Sequence, residues 1–122
     1  MSHLVDDCIF CKIIRREIPA EIVYENDEVL AFKDIRPLAP VHLLVIPKTH
    51  VATVNDVDAS NRGAIAAVMQ AAGPVADTAG VREEGYRVFF NVGRGAGQVV
   101  FHVHMHLIAR ADLREIVSKL EE

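Results

Sequence analysis

The sequence predicts an α+β fold built on an antiparallel sheet, and three observations support this. Strand-like runs follow one another along the chain instead of alternating regularly with helices. Only one segment, residues 60–79, is long and apolar enough to form a substantial helix. Asn26-Asp27 stands between two short apolar-rich runs, as in a β-hairpin. At 122 residues the chain is expected to form one domain, 1–122, with one core.

The first part of the chain is expected to contain a short helix and the hairpin. Residues 8–16 bear several large apolar side chains and predict a short helix or turn that ends before Pro19. Residues 21–25 and 28–33 flank the Asn26-Asp27 turn and predict two paired strands.

Three further strands and a terminal helix complete the expected order. Residues 36–40 contain two prolines and form a stiff loop leading into residues 42–46, a nearly all-apolar run typical of a central strand. Residues 86–92 and 99–108 are the other strand candidates, and an amphipathic helix is expected from Asp112.

The long helix candidate is apolar on most sides. It spans residues 60–79 and ends at Gly80, a residue type favoured just past a helix end. Such a helix needs two packing partners, of which the sheet is one and a second subunit is a candidate for the other. Pro74 is expected to kink it.

The charge and hydropathy of the chain argue against a nucleic-acid-binding protein and against a membrane protein. The net charge of −4 argues against a nucleic-acid-binding protein, which normally carries a basic stripe. No apolar run approaches the roughly 20 residues needed to cross a membrane, and the first residues do not resemble a signal peptide, so a cytoplasmic location is expected. In that reducing compartment Cys8 and Cys11 are expected to be metal ligands or plain thiols, not a disulfide.

Three histidines alternate in residues 102–106, His-Val-His-Met-His. On a β-strand the three imidazoles would share one face and the apolar side chains the other. A solvent-exposed face that happens to carry histidines and a purely metal-binding face are two alternatives. We favour a catalytic site, because folding requires only the apolar face.

Nucleophilic attack on phosphorus is the chemistry that this pattern favours. An imidazole with an ordinary pKa is about 90% neutral at pH 7.5, so it needs no base to free its lone pair, whereas a serine hydroxyl does. His104 is central and is the predicted nucleophile. His106 is then expected to protonate the departing atom.

The loop that precedes the histidines, residues 91–98, supports phosphorus as the target. Its three alternate glycines allow backbone amides to converge on an anion, although a tight turn explains them about equally well. Asn91 and Gln98 supply neutral donors, and Arg94 is expected at the solvated loop tip.

Asp34 has two interpretations. At the end of an apolar run its carboxylate could accept hydrogen bonds from two ribose hydroxyls. It could equally be a surface residue that begins the turn at Arg36-Pro37.

Cys8 and Cys11 form a C-x-x-C pair, which is half of a zinc site. His50 and His102 could complete a Cys₂His₂ set if the fold brings them close, and reduced, partly buried thiols are the alternative. A thioredoxin-like redox motif is less favoured because no strand precedes the pair.

Residues 102–108 match the H-φ-H-φ-H-φ-φ signature of the histidine triad (HIT) superfamily, where φ is apolar. Other segments resemble the Hint branch of purine-nucleoside phosphoramidase-like proteins, namely residues 8–14, 18–20, 31–35, 40–50 and 85–87.

This resemblance implies a HIT-like α+β fold with a five-stranded antiparallel sheet, one long helix and one or two short ones. It also implies a homodimer in which the sheet continues across the two-fold axis and the long helix packs at the interface. The implied reaction is hydrolysis of AMP or GMP phosphoramidates, or related nucleotidyl bonds, through a covalent nucleotide on His104. A dinucleoside polyphosphate hydrolase and a zinc-stabilised nucleotide-binding module with little turnover are the alternatives.

Site roles follow from the resemblance by position. His106 would contact the phosphate and the leaving group, Asp34 would hold the ribose hydroxyls, and His42 would belong to the histidine network. The implied base pocket is lined by Phe10, Ile13, Phe32 and Ile35. The implied phosphate site is edged by Asn91, Gly97, Gln98 and the backbone amide of Val99.

The chain departs from animal Hint proteins at two places. Val99 stands where they have a serine that helps to bind the leaving side of the phosphate. The cysteine pair instead resembles zinc-containing relatives, in which the implied ligands are Cys8, Cys11, His50 and His102. As a ligand, His102 would orient His104 and would not shuttle protons.

Overall fold

The computed structural model describes residues 4–111, so the helix expected from Asp112 lies outside the described residues. The helices are α1 (Ile9–Ile14) and α2 (Arg62–Ala79), with short 3₁₀ turns at Val54–Asp56 and Arg94–Ala96. The strands are β1 (Ile22–Glu25), β2 (Val29–Lys33), β3 (Val41–Pro47), β4 (Arg87–Phe89) and β5 (Met105–Ala109).

The five strands form one antiparallel sheet in the order β1-β2-β3-β5-β4, which confirms the predicted fold class. The all-apolar strand β3 is central, as expected from its composition. The β1–β2 hairpin closes at Asn26, whose side-chain oxygen accepts hydrogen bonds from the backbone N–H groups of Glu28 and Val29.

The prediction of a strand over residues 99–108 is wrong for its first part. Only Met105–Ala109 forms β5, so His106 alone of the three alternating histidines lies within a strand. The β3–β5 ladder cannot extend further at Pro47, because proline has no N–H and its carbonyl accepts a hydrogen bond from the His102 ring. The N–H of Val103 bonds instead to a loop carbonyl.

Strand β4 is also shorter than the expected span of residues 86–92. Its last paired residue, Phe89, lies opposite His106 near the start of β5. Only Met105 remains of β5 beyond that point, and the chain before it is not a strand, so β4 has no partner with which to continue.

Helix α2 packs one side against the sheet. It continues through Pro74 and ends at Gly80, whose φ of 75° lets its N–H bond back to Ala76 and Asp77 carbonyls. The buried side consists of Ala67, Val68, Ala71, Ala72, Val75 and Ala76. On the opposite side, which the described residues leave uncovered, Met69 is 49% exposed.

The two faces of the sheet are buried against different helices. Val29, Leu43 and Met105 belong to the core that contains α2. Leu30, Phe32, Leu44 and Ile46 point the other way and join the core that contains α1. His106 lies opposite Leu44 on this second face, and the cavity described below opens there. Within the described part of the chain, neither helix combines the length and the apolar character needed to span a bilayer.

Candidate active site

A cavity of about 370 Å³ opens on the α1 side of the sheet. The structure brings many of the predicted site residues together in its wall: Phe10, Ile13, Phe32, Asp34, Ile35, Gly97, Val99, His104 and His106. Asn91, Gln98, His42 and His102 are not part of the lining. Most of the wall is apolar. Its titratable side chains are those of Lys33, Asp34, Arg36, His104 and His106. The cavity therefore suits a flat apolar group joined to an anion.

His104 is held so that one ring nitrogen is available. Its Nδ1 lies 2.8 Å from the carbonyl oxygen of His102, which can only accept, so Nδ1 carries the hydrogen. The Nε2 lone pair of the neutral ring is then free to attack. The edge-on ring of Phe10, with centroids 5.2 Å apart, supports this orientation.

His106 presents the opposite tautomer, and a backbone amide outside the cavity determines it. The N–H of Leu38 donates to His42 Nδ1 at 3.0 Å, so neutral His42 carries its hydrogen on Nε2. That Nε2–H donates to His106 Nδ1 at 2.9 Å, which leaves the hydrogen of His106 on its own Nε2. Among the described residues, His106 Nε2 is the one buried side-chain nitrogen or oxygen without a hydrogen-bond partner. A buried donor of this kind is costly unless a ligand satisfies it.

Burial keeps these histidines neutral. Loss of hydration lowers the pKa of His104 and of His42 below the ordinary value, and it lowers the pKa of His106 to about 3. The nearby carboxylate of Asp34 offsets part of this effect for His104 and His42. At pH 7 one ring therefore offers a lone pair and the other an N–H, with centroids 5.0 Å apart.

Phe89 is a site residue that no sequence pattern indicated. Its ring stacks on His106 with a centroid distance of 4.5 Å and an interplanar angle of 3°. The two residues are opposite each other in the β4–β5 pair. Only the register of that pair identifies the contact, and the sequence does not supply the register.

Asp34 begins the turn, as one of its two interpretations predicted, and it also lies in the cavity wall. Its Oδ1 accepts a hydrogen bond from the backbone N–H of Arg36 at 2.8 Å, which forms the turn. Its Oδ2 lies 3.4 Å from His42 Nε2, and the residue lines the cavity. One carboxylate oxygen thus shapes the loop while the other is available at the cavity wall.

The glycine-containing loop is held by a buried glutamine. Gln98 is 2% exposed, accepts a hydrogen bond from Gly93 N–H and donates two to the carbonyls of Ala52 and Val100. Its amide is therefore committed to the loop. Gly97 adopts φ of 94° at the cavity wall, a conformation that favours glycine. The side chain of Arg94 lies over the Phe101 ring, at 5.2 Å from the centroid, so it is not simply a solvated loop tip.

Beside the cavity, a second cluster gathers the four predicted metal ligands. The ligand atoms of Cys8, Cys11, His50 and His102 all lie within 4.8 Å of one another. Cys8 precedes α1 and Cys11 lies in its first turn, while His50 follows β3. The fold thus brings together residues from three separate segments.

The distances within this cluster fit a tetrahedral zinc ion. Zinc–sulfur and zinc–nitrogen bonds of normal length place sulfur and nitrogen ligands about 3.5 Å apart. The distances from Sγ to Nδ1 are 3.4 Å for Cys8–His102, 3.4 Å for Cys11–His50 and 3.5 Å for Cys11–His102. The other nitrogen of His102 bonds to the Pro47 carbonyl at 2.9 Å, as is usual for a metal-bound imidazole.

The protonation states of the two histidines and of Cys11 are also compatible with a bound zinc ion. Burial lowers the pKa of His50, and it lowers the pKa of His102 to about 4, so both rings are neutral as ligation requires. Burial raises the pKa of the Cys11 thiol to about 11 in the absence of a cation, and a bound metal would replace that proton.

Comparison with known proteins identifies similar sequences over most of the chain. The HIT domain family model matches residues 15–113. The purine nucleoside phosphoramidase of Escherichia coli (strain K12) is 48% identical over 115 residues, which cover 94% of this chain and 97% of that protein.

Two solved structures that are each 48% identical to this chain have a similar fold. A HIT family hydrolase from Clostridium thermocellum superposes with a TM-score of 0.86 at 48% identity, over 89% of this chain and 95% of that one. A HIT family hydrolase from Legionella pneumophila Philadelphia 1 superposes with a TM-score of 0.82 at 48% identity, over 87% and 95% of the respective chains.

Proposed function

Because the chain belongs to the histidine triad (HIT) family, and to its Hint-like branch with a C-x-x-C pair, we propose that it is a nucleotidyl hydrolase. Its proposed substrates are purine nucleoside monophosphates joined through phosphorus to an amine, that is, AMP or GMP phosphoramidates. The name of the E. coli relative supports this substrate class. The apolar cavity that ends at two histidines supports it independently.

One observation carries the proposal: the two cavity histidines have complementary tautomers. Neutral His104 offers a lone pair on Nε2, because its Nδ1–H is bonded to the His102 carbonyl. Neutral His106 offers an unpaired, buried N–H on Nε2. An attacking lone pair beside a hydrogen-bond donor that can stabilise the departing group suits displacement at phosphorus.

The first proposed step transfers the nucleotide to the enzyme. Nε2 of His104 attacks phosphorus and forms an N–P bond, while the bond from phosphorus to the leaving nitrogen breaks and its electron pair goes to that nitrogen. That nitrogen enters the reaction protonated from solvent, so a neutral amine departs, and the Nε2–H of His106 donates a hydrogen bond to its new lone pair.

The second proposed step regenerates the enzyme. Water attacks the phosphorus of the nucleotidyl-His104 adduct, and the electron pair of the N–P bond returns to Nε2 of His104. One proton of the water passes to solvent, and His106 keeps its Nε2–H throughout. The products are the free amine and the nucleoside monophosphate.

We also propose that Cys8, Cys11, His50 and His102 hold a structural zinc ion. Zinc would supply a cross-link between α1 and the segment that leads into β5. His102 matters for catalysis through its backbone, since its carbonyl fixes the tautomer of His104. Anchoring its ring therefore positions the nucleophile.

The test is hydrolysis of adenosine 5′-phosphoramidate, with diadenosine polyphosphates offered in parallel. We expect turnover of the phosphoramidate and a loss of at least about 10⁴-fold in kcat for His104→Gly, with AMP binding retained. Quenching without acid, followed by mass spectrometry, should find the nucleotidyl adduct on His104 of the wild type.

Three outcomes would contradict the proposal. Normal turnover by His104→Gly would remove the nucleophile assignment. A preference for the diadenosine compounds would move the protein to the dinucleoside polyphosphate hydrolases. Tight AMP binding with neither turnover nor adduct would leave a nucleotide-binding module.

A further inference from the structure

The imidazole of His106 needs a fixed orientation that its hydrogen bonds do not supply. Its Nδ1 accepts one hydrogen bond from His42 at 2.9 Å, and its Nε2 has no hydrogen-bond partner among the described residues. The torsion about the Cβ–Cγ bond of a histidine is broad, so one hydrogen bond at Nδ1 leaves the ring plane free to tilt. Tilting carries the Nε2–H away from the departing group. Another contact must therefore hold the plane of this ring.

Phe89 supplies that contact through a parallel stack. Its ring lies against the face of the His106 ring, with a centroid distance of 4.5 Å and an interplanar angle of 3°. The neighbouring rings of His104 and His42 are instead inclined to His106 by 52° and 38°. Of these three rings, only that of Phe89 lies flat on the imidazole. A change in the tilt of the imidazole would therefore drive it into the phenyl ring.

Phe89 is itself held in place by the sheet and by a loop. Strand β4 places it directly opposite its stacking partner in β5. Its side chain also packs against the small buried cluster of Ala39 and Ile108. Ala39 follows Leu38, the residue whose backbone N–H determines the tautomer of His42. The phenyl ring is thus packed between elements that are fixed independently of any ligand.

The effect of Phe89 on the reaction must pass through His106, because Phe89 does not line the cavity. The next residue, Phe90, provides a comparison within the same strand end. It is also half-buried, but it lies on the opposite face of the sheet and packs against the core that contains α2. Two phenylalanines of similar burial therefore differ in whether they contact the imidazole.

Resting on the proposed function, we propose that Phe89 is a positioning residue, whose flat face holds the imidazole of His106 at the tilt that aims its Nε2–H at the departing group. The stack then matters for bond breaking and not for nucleotide binding. A basic nitrogen that gains a lone pair depends on the hydrogen bond from His106. A group that departs as a stable, delocalised anion depends on it little.

Two substrates with the same nucleotide and different leaving groups test this role. One is the AMP phosphoramidate of an alkylamine, and the other is the 4-nitrophenyl ester of AMP. Phe89→Leu keeps an apolar side chain in β4 but removes the flat face. It should lower kcat/KM about tenfold for the phosphoramidate and less than about twofold for the ester. The Kd of AMP should not change.

Three further variants separate positioning from packing. Phe89→Tyr restores a flat ring and should keep the wild-type ratio of the two rates. Phe90→Leu makes the same substitution on the opposite face, so any loss should be equal for the two substrates. If a thermal melt shows that Phe89→Leu does not fold, Phe89→Met, with a flexible apolar side chain that fills irregular gaps, carries the same expectation.

The outcomes are distinguishable. Equal losses on the two substrates in Phe89→Leu, weaker AMP binding as the cause of the loss, or the same change of ratio in Phe90→Leu overturns the positioning role while the hydrolase proposal stands. So does a loss in Phe89→Tyr as large as that in Phe89→Leu. A wild type that hydrolyses neither substrate overturns the proposed function itself, and the role of Phe89 with it.

Discussion

His104 and His106 carry their hydrogen on different ring nitrogens. Backbone groups outside the cavity determine which nitrogen it is in each ring. The carbonyl of His102 fixes His104, while the amide of Leu38 acts through His42 to fix His106. Identical side chains thus acquire opposite roles through their backbone partners. Burial keeps both rings neutral, so these roles persist across the physiological pH range.

Asp34 is the residue through which ribose recognition can be tested. If its cavity-facing oxygen accepts the ribose hydroxyls, the wild type should favour a ribonucleoside phosphoramidate over its 2′,3′-dideoxy analogue by about 10- to 100-fold in kcat/KM. Asp34→Asn keeps an acceptor for the Arg36 turn but removes the charge. The preference should then fall to a few-fold, as measured by competing the two substrates.

The ratio of the two rates provides its own control. Damage to the turn or to His42, which lies 3.4 Å from the carboxylate, would slow both substrates equally. An unchanged preference in Asp34→Asn would show that this carboxylate does not bind ribose.

For single residues, the sequence indicated which side chains line the cavity better than it indicated their contacts. Phe10, Phe32 and Asp34 could be proposed for the cavity because they belong to a recognisable pattern. The stacking of Phe89 on His106 and the hydrogen bond from Leu38 could not, since both depend on strand register and loop path.

At the scale of elements, apolar patterning located every strand but not where each one ends. The alternation of residues 99–108 suits a long strand, yet β5 begins only at Met105. Pro47 explains the difference, because it offers the ladder no N–H and its carbonyl is taken by the His102 ring. The shorter strand frees His102 from the sheet, and its ring joins the cysteines next to α1.

The cluster of His102 with the two cysteines predicts that a bound zinc ion raises the thermal stability of the protein. Protein purified without added zinc should contain about one zinc ion per chain. Removing it with a chelator should lower Tm and slow phosphoramidate hydrolysis, because α1 and the His102 segment lose their common anchor. Elemental analysis, a thermal melt and the rate assay measure these three effects.

The double variant Cys8→Ser, Cys11→Ser serves as the matched control. It should already show the lower Tm, and the chelator should change it no further. Zinc-free wild-type protein with a Tm insensitive to chelator would rule out the four-ligand site.

At the scale of the whole molecule, residues 4–111 leave two surfaces uncovered. The side of α2 that faces away from the sheet carries the exposed Met69. Among the described strands, β4 is an edge strand that pairs only with β5. We propose that a second copy covers both, with β4 extending the sheet across a two-fold axis and α2 packing against its equivalent. A two-fold contact uses the same patch on both subunits, so one surface change is applied twice.

Light scattering on the eluting protein should therefore give a mass near twice 13.5 kDa. Met69→Glu places two like charges at the proposed interface and should shift the mass to that of one chain. Asp27→Arg, in the hairpin turn at the opposite edge of the sheet, is the matched control and should remain a dimer. A wild-type mass of one chain at micromolar concentration, or dimers unaffected by Met69→Glu, would mean that something other than this contact covers α2.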